Sequence, residues 1–117
     1  MRFRLAFSAA LPLMLVAPSA FAQDPVAHTA IASGDYSAAE QTLRSELRIY
    51  PGRPELLLNL AAVYMKTGRE AEARAIYMKV LSQRDVLMDV SADRTVGSHV
   101  VATNGLKRLQ TGQLSSR

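Results

Sequence analysis

Slid along itself by 34 positions, the chain places Gly34 on Gly68, Ala39 on Ala73, Leu43 on Tyr77 and Leu47 on Leu81. The same shift puts Ala27 on Ala61 and Val26 on Leu60, so small residues fall on small and large on large. A period of this length marks a stack of supersecondary units, each of which needs a neighbour to cover its apolar face. The clearest copies are Gly34-Asp35-Tyr36-Ser37-Ala38-Ala39-Glu40 and Gly68-Arg69-Glu70-Ala71-Glu72-Ala73-Arg74, a glycine turn followed by a new periodic segment.

The period within each copy is helical. Leu57, Leu60, Ala61 and Tyr64 recur at i, i+3, i+4 and i+7, which puts them on one helical face. Ala73, Ile76, Tyr77 and Leu81 form a second stripe, leaving Glu70, Arg74 and Lys79 for solvent. Pro54 suits a first helical turn, where its missing N–H is not needed, and Gly68 suits the left-handed residue that ends a helix. The spacing predicts helices over 25–33, 37–49, 54–67 and 70–83, packed as antiparallel neighbours, with Ala61 and Ala73 small enough for close crossing.

Taken together these positions resemble the tetratricopeptide repeat. Counted from Pro54, the residues Leu57, Leu60, Ala61 and Tyr64 occupy the signature sites of its first helix, Gly68 its turn, and Ala73 and Tyr77 its second helix. The first copy has Gln23 where Trp or Leu is usual and Ala30 in the Tyr position, while Pro51 matches the family's proline. Glu46 and Val80 stand where the family prefers Ala, and Asp85 replaces the second proline. The resemblance spans residues 23–85 and implies an all-α fold of about two repeats. It also implies a concave surface lined by first helices, on which Glu55, Leu58, Asn59, Ala62, Met65 and Lys66 form the non-core face of the second copy. The function it implies is non-catalytic binding of a protein or peptide on that surface. The alternative is a structural, self-associating subunit of a larger assembly, since two repeats are a small core and oligomerisation is a common remedy.

Beyond Ser82 the match fails. Residues 86–110 read as an irregular connection and a capping helix from Ser98 to Gln110, with Ser98 as N-cap and Gly105 an unfavourable interior residue. Val86 to Val90 and Thr95-Val96 flank a turn-like Ser91-Ala92-Asp93-Arg94, which fits a short hairpin, an extended linker or a continuation of the preceding helix. Residues 111–117 lack periodicity and read as a disordered tail.

Residues 1–22 have the order of a secretory signal peptide: Arg2 and Arg4, an apolar stretch from Leu5 to Ala17 broken by Pro12, then Ala20-Phe21-Ala22. A spanning helix needs about 20 apolar residues, so the expectation is cleavage after Ala22, no membrane anchor in the mature chain, and a periplasmic or secreted destination. Losing Arg2 and Arg4 reduces the net charge of +4, and the remaining charges alternate in sign, which gives no nucleic-acid stripe.

The chemistry-bearing residues are sparse. Cys is absent, which removes thiolate catalysis and Cys-type metal sites. His28 and His99 lie far apart without carboxylates at ligand spacing, no Gly-x-Ser-x-Gly elbow or phosphate loop occurs, and Glu70 with Glu72 belong to a helix start that favours negative charge. No catalytic, metal or cofactor site is expected.

Overall fold

The computed structural model describes residues 30–115. A helical turn at 30–33 (α1) precedes α2 (Tyr36–Ile49), α3 (Pro54–Lys66), α4 (Glu70–Ser82), a hairpin of β1 (Leu87–Ser91) and β2 (Arg94–Gly97), and α5 (Ser98–Ser115). The expected signal peptide and the beginning of the first expected helix lie outside the described residues.

The repeat is visible in its turns. Gly34 and Gly68 are the described residues with positive φ, at +81° and +73°. Each sits in the same hydrogen-bonded exit: Asp35 N–H donates to Ala30 O and Arg69 N–H to Tyr64 O, both at 2.8 Å. These bonds satisfy carbonyls that the end of a helix would otherwise leave unpaired, and the left-handed glycine lets the chain reverse. Asp35 then caps α2 through its carboxylate, which accepts the Ala38 N–H at 3.2 Å, and Pro54 opens α3 as expected.

Helices pack in sequence, α2 on α3, α3 on α4 and α4 on α5. Ala39, Ala61, Ala73 and Ala102 are completely buried, one alanine on each of the four helices. Leu43, Leu57, Leu60, Val63, Tyr64, Tyr77 and Leu109 fill the space around them. Glu46, where the family prefers alanine, is only half-buried, whereas Val80 is fully buried, so the second departure is absorbed within the core.

Four expectations need correction or completion. The fold is mostly helical rather than all-α, because a two-stranded antiparallel hairpin separates α4 from α5. Its pairing shifts register between Asp89 and Ser91, beside the Ala92-Asp93 turn. No non-glycine residue described has positive φ; the turn is therefore not of the primed kind that matches strand twist, and the bulge takes up the difference. Ser98 is not the N-cap of α5 but its first residue: it is buried, accepts the Val86 N–H at 3.0 Å and donates to Asp85. The capping group is the Asp85 carboxylate, which accepts the His99 N–H at 3.0 Å. That is what the residue in the family's proline position does here. The disordered tail expected from residue 111 is corrected as well, since α5 continues to Ser115. Leu109 anchors it, and a helix already nucleated extends at little cost.

Candidate functional site

One side of α3 faces the hairpin and α5 across a groove of about 400 Å³. Helix α3 contributes Glu55, Leu58, Asn59 and Ala62. Across from them, α5 supplies Val100, Val101, Asn104, Gly105 and Arg108, and the hairpin closes one side with Met88, Asp89, Val90, Arg94 and Val96. Tyr77 reaches the groove from α4.

Close approach of α5 to α4 creates this arrangement. A Cβ on Gly105 would stand 2.6 Å from Tyr77 Cε1, a separation no packed side chain tolerates. The glycine that weakens the helix pattern in sequence is thus the point at which the Tyr77 ring lies against the α5 backbone, leaving the groove open beside it. Burial raises the Tyr77 phenol above its ordinary pKa, and the nearby positive charge of Arg108 opposes that shift.

The base of the hairpin is fastened. Asp85 accepts from His99 N–H and from the Ser98 hydroxyl, and His99 Nε2 lies 2.7 Å from Gln83 O. The His99 N–H bond leads the causes that hold the Asp85 carboxyl below its ordinary value. Gly97 packs against this carboxylate, whose Oδ1 is 3.0 Å from the place a Cβ would occupy. The hairpin therefore leaves α4 and enters α5 from one rigid junction.

Outside the groove a charge network ties the two repeats. Arg69 donates to both Glu40 oxygens at 2.9 and 2.8 Å, and also to Glu72. Arg44 bonds Glu40 and the Tyr64 hydroxyl, and the Arg69 guanidinium lies over the Tyr64 ring at 4.3 Å. Burial works to raise the Glu40 pKa, but the Arg69 and Arg44 guanidiniums outweigh it and hold the carboxyl below its ordinary value. This network joins α2 to α3 and α4, not to the groove.

Of the six residues expected on the concave face, Glu55, Leu58, Asn59 and Ala62 line the groove, while half-buried Met65 and exposed Lys66 are not among its lining residues. Leu58 was expected outside the core. It is only 7% exposed and belongs to the core cluster. The hairpin and α5 walls were missed altogether. The one sequence signal for them was Gly105, a glycine kept inside an otherwise helical stretch.

Comparison with known proteins agrees with the turns and stripes. A tetratricopeptide-repeat family model matches residues 30–86. Residues 30–86 are a tetratricopeptide-repeat region. No curated protein and no solved structure matches it significantly. Repeats of this family generally mediate protein–protein interaction. The matched segment ends before β1, so the tetratricopeptide repeat supplies the α3 and α4 sides of the groove, and two of its walls come from residues beyond the match. Among the described residues no three His, Asp or Glu side chains converge on a metal-sized site, and no helix is long and apolar enough to cross a membrane.

Proposed function

We propose that this chain is an exported, non-catalytic interaction module that holds a peptide segment of a partner protein in the groove between α3, the hairpin and α5. The observation that carries the reading is the groove itself. Its volume is in the range of ligand sites, and apolar side chains from three elements line it with a few amides and charges, the mixture that orients a bound chain. The tetratricopeptide-repeat region supports the coarser statement of protein binding.

The test is site-specific crosslinking in the native host. A photoreactive amino acid at exposed Asn104, in the groove wall, should yield a protein adduct, whereas one at exposed Met78, outside the groove, should not. Val100→Trp, an enlargement at the exposed rim, should abolish the Asn104 adduct. Equal adducts from both positions, or an adduct indifferent to Val100→Trp, would refute the groove as the site. Export after cleavage at Ala22 is part of the proposal: the chain recovered from the periplasm or medium should have the mass of residues 23–117.

A second reading, a self-associating subunit, draws on the exposed apolar residues at the start of the hairpin, where Leu87 is 76% exposed beside Val86. Light scattering over a concentration series separates the two, because a monomer at every concentration excludes the subunit.

A further inference from the structure

The two buried tyrosines of the repeat differ in what their hydroxyls do. Tyr64 accepts a hydrogen bond from Arg44 at 2.8 Å. Tyr77 is equally enclosed, at 6% exposed, but its hydroxyl has no hydrogen-bond partner among the described residues. None of their side-chain nitrogen or oxygen atoms is both sealed from solvent and unpartnered. The Tyr77 oxygen therefore borders open space, and the open space that Tyr77 lines is the groove.

Gly105 is what lets the oxygen reach it. The ring meets α5 with its phenol end foremost: a Cβ on Gly105 would stand nearest to Cζ, and 2.6 Å from both Cε1 and Cε2. The hydroxyl is carried on Cζ, so it passes the α5 backbone where a side chain at 105 would block it. Around it the groove is apolar at Leu58, Ala62, Met88, Val96 and Val101. Burial raises the phenol pKa above its ordinary value of 10.0, so at neutral pH the oxygen keeps its proton and is a donor. A segment seated in the groove takes this donor out of water, which costs free energy unless the segment supplies an acceptor.

We propose that Tyr77 is a ligand-binding residue, whose hydroxyl donates to a backbone carbonyl in the middle of an extended, apolar, uncharged peptide segment. This rests on the reading of the groove as a peptide site and names an atom that recognises the chain. A helix uses its own carbonyls except in its last turn, so a carbonyl free in mid-segment belongs to extended chain. The lining acids and bases balance, Glu55 and Asp89 against Arg94 and Arg108, so the segment needs no charge of its own. The aromatic ring fills the core, as phenylalanine would; the hydroxyl is the part of Tyr77 that packing does not require.

The experiment pans a bead library of random octapeptides, acetylated and amidated so that no terminal charge contributes, against the protein expressed from its full sequence. Peptides rich in Leu, Ile, Val, Met or Phe should be enriched and should compete for the Asn104 adduct. Their affinity should fall about tenfold in Tyr77→Phe, because the carbonyl is then buried without a donor. An enriched peptide is next remade with one amide at a time replaced by a trans alkene, which keeps the shape and deletes the carbonyl. One position should cost about tenfold against the parent and little against Tyr77→Phe. That variant should melt no earlier than the parent, since no internal hydrogen bond is lost. Earlier melting, binding indifferent to Tyr77→Phe, a charged residue required at a fixed position, or alkene losses equal in both proteins would each overturn the role of the hydroxyl. If such peptides still compete for the Asn104 adduct, the groove reading survives. No enrichment, or enriched peptides that leave the adduct untouched, would overturn both.

Discussion

The second repeat and the hairpin that follows it are neighbours built on opposite principles. In α3, seven of thirteen residues are buried, from Leu56 to Tyr64, whereas in the hairpin strands the buried residues are Met88 and Gly97. The repeat is held by apolar area shared with elements on both sides. The hairpin is held at its base, by the Asp85, Ser98 and His99 bonds, and by Met88 packing inward. Stability resides in the first region and variation is affordable in the second, which is where a binding wall can change without unfolding the molecule.

The severest challenge to that contrast is truncation after Ser82. It removes the hairpin together with α5, which covers Tyr77, and the remaining chain should lose its cooperative thermal transition by circular dichroism. A truncated chain that still melts cooperatively would mean that the repeats are self-sufficient and α5 only an addition.

Next in size is Leu60→Ala in the core of α3. It should cost about 2–5 kcal/mol, as large-to-small core substitutions do, measured by urea denaturation with an unchanged m-value. Leu87→Ala, at the exposed start of β1, should stay within about 0.5 kcal/mol of the parent. Similar losses for the two would erase the distinction between the regions.

Gly105→Val tests the junction between them. The new side chain would meet the Tyr77 ring, and overpacking of this kind costs roughly 1–3 kcal/mol. In the Tyr77→Ala background the same substitution should cost much less, so in a double-mutant cycle the double variant should lose less stability than the sum of the two single losses. Additive effects would place the ring elsewhere.

The smallest effect is electrostatic. Asp85 titrates below its ordinary value of 3.8 in the folded chain, so its ionised form favours folding. That contribution is present in full above the unfolded-state pKa and is lost as pH falls through 3.8 toward the lower folded value. Asp85→Asn should therefore melt earlier than the parent at pH 7, and the gap should narrow as the pH falls below about 4. Met88 amide exchange should accelerate in this variant more than that of Val63, because the hairpin base is loosened while the repeat core is not.

What was legible in the sequence was what repeats. The helix boundaries of α2, α3 and α4 followed from apolar residues three and four apart, from Pro54, and from glycines placed one period apart; these signals are local, and each helix must show them to bury one face. Ala61 and Ala73 were recognisable because a crossing point demands a small residue whatever lies opposite. Leu58 was misread for the complementary reason: the resemblance places it off the core stripe, but it is buried in the core cluster and lines one groove with hairpin and α5 residues 30 or more positions away. Gly105 carried the opposite ambiguity. Within its own helix it is only a residue of poor propensity, and its meaning depends on Tyr77 in another helix. The sequence by itself thus determined the period, the turns and the helical stripes, because these arise from neighbours along the chain. The depth of the groove, the burial of Leu58, the capping role of Asp85 and the close approach of Gly105 to Tyr77 were decided by the tertiary structure, because each depends on which distant segment packs against it.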